Sequence, residues 1–270
     1  MKEMANANDN WQERLFRKSV VKQLKYRMIK KYLGDYRHLN CLDLGADNGV
    51  ISYLLRLDGG RWYSADIDSY TVQMILNAVT ENVCLIEDNK LPFADNYFDI
   101  IVIIDLLEHL EEDGVFISEI SRVSKTGSSL IINVPHVKKR SITRRIRKLV
   151  GLTDEQHGHV RAGYTYAGLS HIVQGYSFEC GETYSRGFTE LIDIIVSLLI
   201  TGTNRKALTP KGLIVGEEDL LRYRKSFILY SFFYPLLWFI SKLDLLLFFV
   251  PGHRLIARFK KDGKALATEE

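Results

Sequence analysis

The stretch that most constrains this chain is Cys41–Ser52, CLDLGADNGVIS. It reads as a short buried strand running straight into a glycine-containing loop and then a helix. About fifteen residues later, Trp62–Asp68 (WYSADID) reads as a second strand that ends in acid. A strand, a tight glycine loop, a helix and a strand closing on a carboxylate make up the nucleotide-binding half of an open α/β sheet. The remaining segments can be placed relative to that unit.

The chain has 270 residues and an apolar fraction of 46%, enough for one large core or for one domain with a substantial insertion. A formal charge of +3 is too mild to indicate nucleic acid as a partner. Cys41, Cys84 and Cys180 lie far apart with no CxxC pair, which argues against a disulfide framework or a cysteine zinc site and suits a reducing cytosol. Met1–Asn10 is polar and does not have the pattern of a signal peptide.

Residues 11–33 show helical spacing of apolar positions, with Gly34 as a stop, and their basic face is expected to be solvated. Strands follow at 41–44, 61–67, 83–86, 98–104 and 129–134, and helices at 49–57 and 70–79. Another helix is expected to begin at Asp105 and to continue through 114–124. FDIIVII, Phe98–Ile104, is apolar throughout, as a central strand covered on both faces requires. Short links between alternating strands and helices predict a doubly wound parallel α/β sheet. Beyond it come a helix at 165–174, a strand at 177–183, an apolar helix at 188–200, a loop over 201–218 and an aromatic, apolar segment at 226–250. A last strand is expected at 253–260. There is no internal repeat.

The residues inside the loop bear on what it holds. Gly45 and Gly49 permit close backbone approach, but Asp47 sits between them and Asp43 just before. Two carboxylates would repel a pyrophosphate, which needs backbone N–H groups and a positive field. They favour a cofactor with a cationic amino-acid end and no phosphate, and S-adenosylmethionine (SAM) carries both a sulfonium and an ammonium. Asp66, with Ile67 beside it, is placed to accept from ribose hydroxyls. Glu87 or Asp88, after the third strand, could meet an adenine amino group.

At this point the chain resembles the class I SAM-dependent methyltransferases, and within them the ubiquinone and menaquinone type. The matching pieces are LDLGADNG (42–49), ADID (65–68), LPFADNYFDIIVIIDLLEHL (91–110), EISRVSKTGSSLIINVPH (119–136) and HVRAGYTYAGLSHIVQGYSF (159–178). They cover roughly residues 38–180 in the family's order, with Asp47 standing where the family usually has its middle glycine. The resemblance implies a seven-stranded, Rossmann-like sheet whose last strand runs antiparallel between the fifth and sixth. It also implies a cofactor-binding domain over 1–183 plus 252–262, with 184–251 as a helical apolar insertion between strands six and seven.

Ligands of such sheets sit beyond the carboxyl ends of the strands, where Asp105, Glu108 and His109 follow the fourth. On a helix, positions i, i+3 and i+4 share a face. One reading has Asp105 orienting the cofactor while Glu108 and His109 make hydrogen bonds under a loop. The other, suggested by the resemblance, makes Asp105, Glu108 and His109 ligands of a divalent metal (Mg or Zn) that positions a catechol-like hydroxyl. If the acceptor is a hydroxyl, a general base helps, and His109, His136, His157 and His159 are the candidates; a structural hydrogen bond is the competing role for His159.

On this topology the insertion and the run KKRSITRRIRK (138–148), with seven Lys or Arg and no acid, both emerge beside the active site. Residues 226–250 are long enough to cross a membrane, but Lys242 and Asp244 would lie inside the span at about 3 kcal/mol each. Helices lying in the interface, broken near Ser241–Asp244, fit better, with anionic lipid attracting 138–148. A soluble cap or dimer interface is the competing reading. The expectation is a cytoplasmic enzyme, peripheral to the membrane, that methylates a lipophilic or lipid-linked acceptor at oxygen. Alternatives are a soluble sugar or secondary metabolite under a lid, or a cofactor-free interaction protein. Nucleic acid is a poor partner, because the basic run lacks interleaved aromatics.

Overall fold

The computed structural model describes residues 11–138, 141–153, 158–201, 216, 222 and 224–263. His157, the pair Lys139–Arg140 and nearly all of the loop expected at 201–218 lie outside these residues. The described elements are α1 (Trp11–Arg17), α2 (Val20–Leu33), β1 (Asn40–Leu44), α3 (Val50–Leu57), β2 (Arg61–Asp66), α4 (Ser69–Val79), β3 (Val83–Leu85), β4 (Phe98–Ile104), α5 (Asp113–Val123), β5 (Ser124–Pro135), α6 (Ile142–Leu149), α7 (Tyr166–Ile172), β6 (Tyr176–Tyr184), α8 (Gly187–Thr201), α9 (Arg224–Ser241) and β7 (Arg254–Lys261). A single 3₁₀ turn follows β4 (Leu107–His109), and a six-residue 3₁₀ segment follows α9 (Lys242–Leu247).

The strands form one sheet in the order β3-β2-β1-β4-β5-β7-β6. β1 to β5 pair in parallel, and β7 runs antiparallel to both β5 and β6. This is the expected seven-stranded Rossmann-like arrangement, with the apolar helices between strands six and seven. Val102 and Ile103 of β4 are fully buried on opposite faces, as its unbroken apolar run requires. The carboxyl ends of β1, β2, β3, β4, β5 and β6, and the start of β7, therefore share one edge, and the segment joining β6 to β7 leaves and returns there.

Two local readings change. The helix read over 11–33 is two helices, because Ser19 caps α2 by accepting from the backbone N–H of Lys22 at 3.2 Å. The helix expected from Asp105 is a 3₁₀ turn beginning at Leu107, and Asp105 itself sits at φ +45°. The i, i+3, i+4 face on which Asp105, Glu108 and His109 were to converge is thus broken at its first residue.

α8 and α9 pack against each other and onto α2 at the same sheet edge. Tyr230 of α9, 4% exposed, donates to the carbonyl of Lys18, and Gln23 Nε2 donates to Tyr234 Oη at 2.8 Å. The opposite face of α9 and its 3₁₀ extension is bare: Phe232 is 77% exposed, Phe239 63% and Phe248 78%.

Candidate active site

The loop after β1 turns through three left-handed residues: Gly45 (φ +85°), Asp47 (φ +51°) and Gly49 (φ +80°). A Cβ on Gly45 would come within 2.3 Å of the Ile104 carbonyl oxygen, and one on Gly49 within 2.8 Å of Ile75 Cα. The glycines are needed for the loop to seat against β4 and α4, in addition to any approach to a ligand. Aspartate tolerates the left-handed region better than most residues, which lets Asp47 stand between them.

Asp43 is fully buried beneath this loop. It accepts from Ser52 Oγ at 2.6 Å and Ser64 Oγ at 2.8 Å, and Arg56 lies 3.5 Å away. Burial raises its pKa, and these three partners oppose the rise. Its carboxylate therefore braces β1, α3 and β2, which corrects the expectation that Asp43 faces the ligand. Asp66 closes β2, buried, and accepts from the backbone N–H of Asp68 at 3.2 Å. Ile67 follows it at the same edge, half-buried. Glu87 and Asp88 stand exposed in the turn after β3, which a Glu87–Lys90 bridge closes.

Asp105 is the centre of a buried polar network. It binds Lys25 of α2, lies 3.2 Å from Arg254 at the start of β7, and accepts from Asn133 Nδ2 of β5 at 2.9 Å. Asn133 in turn accepts from the Tyr184 hydroxyl. Burial alone would raise the pKa of Asp105, but Lys25 and Arg254 outweigh it and hold the carboxyl well below its usual range. Lys22, one turn before Lys25, donates to Asn48 Oδ1 at 3.1 Å and stands 3.9 Å from Asp47. The α2 face expected to be solvated is therefore turned partly inward, with two lysines over the glycine loop and the end of β4.

Glu108, His109 and His159 gather, with one potential ligand atom from each within 4.8 Å of the others. His109 Nδ1 donates to the Gly158 carbonyl at 3.0 Å, and the two imidazoles meet edge to face at 4.9 Å. Val160 N donates to the Glu108 carbonyl at 2.9 Å, tying this segment to the 3₁₀ turn. His159 thus takes the place that the sequence reading assigned to Asp105, which is committed to Lys25 and Arg254. His136, at the end of β5, donates from Nδ1 to the Gly252 carbonyl at 2.9 Å.

Asp47, Asp105, Glu108, His109, His136 and His159 open onto one cavity of about 360 Å³, walled by α1, α2, the 3₁₀ turn after β4, α6, α8 and the start of β7, whereas Asp66, Ile67, Glu87 and Asp88 are not among its lining residues. Among the described residues, seven Lys or Arg side chains line it (Lys18, Lys22, Lys25, Lys138, Arg144, Arg147 and Arg254) against five carboxylates (Asp47, Asp105, Glu108, Glu190 and Asp193). Arg147 pairs with Asp193 and lies 3.7 Å from Glu190. His253 accepts from or donates to Thr143 Oγ1 at 2.8 Å, and burial together with Lys138, Arg147, Arg254 and His136 lowers its pKa to about 3. The sequence reading passed over His253, Glu190 and Asp193, since only the packing of α6, α8 and β7 brings them together.

Comparison with known proteins now bears on this geometry. Residues 42–132, about a third of the chain, match the family described as a methyltransferase domain. No curated protein matches the chain in sequence. Among solved structures, a possible histamine N-methyltransferase of Thermotoga maritima is 14% identical with a TM-score of 0.54, covering 94% of this chain and 96% of that one. A phosphoethanolamine N-methyltransferase of Haemonchus contortus, solved with S-adenosylhomocysteine, is 14% identical with a TM-score of 0.55, covering 90% of this chain and 53% of that one. The (4+2)-cyclase SpnF is also similar, at 14% identity and a TM-score of 0.57, with 96% and 85% covered. A fold shared with a cyclase does not fix a reaction. The domain match over β1 to β5, set on this sheet order, places a methyltransferase domain at residues 42–132 on a Rossmann-like fold.

Proposed function

We propose that this methyltransferase modifies a lipophilic or lipid-linked acceptor, at oxygen, while docked on a membrane surface. The observation that carries this reading is the bare apolar face of α9 and its 3₁₀ extension, from Ile228 to Phe249. Monomers rarely leave so continuous an apolar face in water. α6 adds exposed Ile142 (76%) and Leu149 (85%) among its arginines, the mixture that suits an anionic headgroup boundary. Residues Arg224–Leu247 are long and apolar enough to cross a membrane, yet a single crossing would part β7 from β5 and β6, with which it pairs. Lying in the interface keeps the sheet whole.

For the cofactor, the donor set fits SAM, which supplies an electrophilic methyl group. In this reading the loop Gly45–Gly49, with Asp47, faces the amino-acid end. Asp66 accepts from the ribose, with Ile67 against the ring and Glu87 or Asp88 near the adenine. Lys22 and Lys25 are the nearest cations for a carboxylate, and Asp105 holds Lys25 in place. Transfer is an in-line displacement, so alignment and exclusion of water are the protein's main contributions. His136 is the proposed base: with Nδ1–H given to Gly252, Nε2 of the neutral ring is left as acceptor.

A second reading gives Glu108, His109 and His159 a divalent cation that would orient the acceptor oxygen, since a carboxylate and two imidazoles suit a borderline metal. Turnover that survives exhaustive chelation removes it.

The test of the main reading is vesicle flotation with the full chain, combined with transfer of labelled methyl from SAM to solvent-extractable material. Binding to phosphatidylglycerol vesicles, weakened by Phe232→Ser with Phe239→Ser, is expected. Failure to float with any vesicle would leave the apolar face to a dimer or a cap.

A further inference from the structure

We infer that Lys138 and Arg186 are positioning residues for His136: they fix the turn Val250–Gly252, whose last carbonyl sets the tautomer and aim of the imidazole. The inference rests on the reading of His136 as the base and deepens it, by making the last residues before β7 part of that base.

Three successive carbonyls of this turn each accept one side-chain N–H. Val250 accepts from Arg186 Nε at 2.9 Å, Pro251 from Lys138 Nζ at 2.8 Å, and Gly252 from His136 Nδ1 at 2.9 Å. No backbone N–H among the described residues serves any of the three, so these side chains satisfy them. The bonds from Lys138 and Arg186 are charge-assisted, the stronger kind. Their donors come from two parts of the chain, since Lys138 follows β5 and Arg186 lies between β6 and α8.

The rest of the turn is held as closely. Gly252 N donates to Thr183 Oγ1 at 2.9 Å, and a Cβ on Gly252 would collide with the Tyr184 backbone. On either side of it, His136 N donates to the His253 carbonyl and His253 N to the Ser185 carbonyl, each at 2.8 Å. The Gly252 carbonyl is thereby presented to His136 in one place.

A carbonyl can only accept, so the His136 proton is on Nδ1, and Nε2 of the neutral ring carries the lone pair. Among the described residues this is the ring's one hydrogen bond, and His136 lines the cavity. If the turn shifts, nothing else in that set keeps the proton on Nδ1. Phe248 and Phe249, which end the bare apolar face, lead directly into the turn. The insertion therefore supplies the group that orients the base as well as the exposed apolar surface.

The test is NMR of ¹⁵N-labelled histidine rings in the full chain at about pH 8, where an ordinary imidazole is neutral. His136→Gln assigns the signals, and His38, exposed ahead of β1, is the internal control. In the wild type the Nδ1–H tautomer of His136 is expected to dominate. Lys138→Met and Arg186→Met, made separately, are each expected to raise the ratio of Nε2–H to Nδ1–H about fivefold, the size of effect one ordinary hydrogen bond maintains. Lys138→Arg and Arg186→Lys, which keep a cationic donor, are expected to restore the wild-type ratio, with His38 unchanged throughout. Lys138 is only half-buried, so its variant decides alone should Arg186→Met fold poorly. A wild-type ring already in the Nε2–H form, or a ratio indifferent to both methionine variants, overturns the inference. A shift that the conservative variants share overturns it too, and points to packing rather than hydrogen bonding. Methyl transfer from SAM that survives His136→Gln would remove His136 as the base and leave the positioning of its ring standing.

Discussion

Lys25 of α2 is bound to Asp105 at the end of β4, an ion pair whose ammonium side is only 5% exposed. It clamps the N-terminal helices over the sheet edge where the glycine loop lies. Removing one partner of a buried pair usually costs about 3–5 kcal/mol. Here Asp105 keeps Arg254 and Asn133, so Lys25→Met is expected to cost less, about 1–3 kcal/mol. Chemical denaturation measures that. The same variant should weaken S-adenosylhomocysteine binding at least fivefold, because α2 also carries Lys22 to Asn48. A wild-type affinity would remove Lys25 from the cofactor site.

Folding stability should fall with acid partly through His253. Its pKa is about 3 in the fold, against an ordinary value near 6.5, because of burial and then the surrounding cations Lys138, Arg147 and Arg254, with His136 adding to them and Glu190 at 4.0 Å in opposition. A histidine held neutral is favoured above its unfolded pKa. As pH drops below about 6.5 the unfolded chain takes up the proton and the folded one does not, so stability declines until about pH 3. The slope is at most about 1.4 kcal/mol per pH unit. His253→Gln keeps a partner for Thr143 and should flatten the decline between pH 6.5 and 4.5. An unchanged slope in urea melts would show that His253 titrates normally.

The glycines of the loop separate two costs. Gly127 (φ +72°) meets nothing nearer than 3.9 Å, so Gly127→Ala carries only the left-handed penalty of about 1 kcal/mol. Gly49→Ala adds a backbone contact at 2.8 Å and Gly45→Ala one at 2.3 Å. The expected order of destabilisation is Gly127 < Gly49 < Gly45, with Gly45→Ala above about 3 kcal/mol. Thermal melts of the three variants check it, and a Gly45→Ala protein as stable as Gly127→Ala would show that the loop is not pressed on β4.

How much of this was legible beforehand differs by residue. The Cys41–Gly49 unit and the Phe98–Ile104 strand could be read because period, glycine and apolar run each act locally. The antiparallel last strand came from likeness to a family, since nothing in 253–260 states its direction. Lys22 and Lys25 were misread because charge spacing describes a helix face without saying what lies against it. Asp105 was misplaced because a left-handed residue breaks the helical spacing on which its grouping with Glu108 and His109 depended. His253 and Glu190 lie 63 residues apart and meet only once β7 has returned to the sheet.

Asp244 illustrates the same limit and yields the last prediction. In sequence it was a charge counted against a membrane span. In the fold it accepts from the backbone N–H groups of Arg186 at 2.7 Å and Phe188 at 2.8 Å, at the N-terminus of α8. A carboxylate there satisfies helix donors that have no internal partner and meets the positive end of the helix dipole. It also joins the 3₁₀ segment after α9 to the start of α8, so the apolar helices close into one layer beside the cavity. Asp244→Ala should cost about 1–2 kcal/mol, the usual range for a lost cap, and Asp244→Asn about half of that, since the amide oxygen still accepts. If the layer docks on lipid as a unit, Asp244→Ala should also weaken vesicle binding severalfold, although Asp244 is not one of its exposed apolar residues. Amide exchange over Arg186–Glu190 distinguishes the causes: faster exchange there with weaker docking ties the cap to the surface, whereas faster exchange with unchanged docking would show that α9 binds lipid independently of α8.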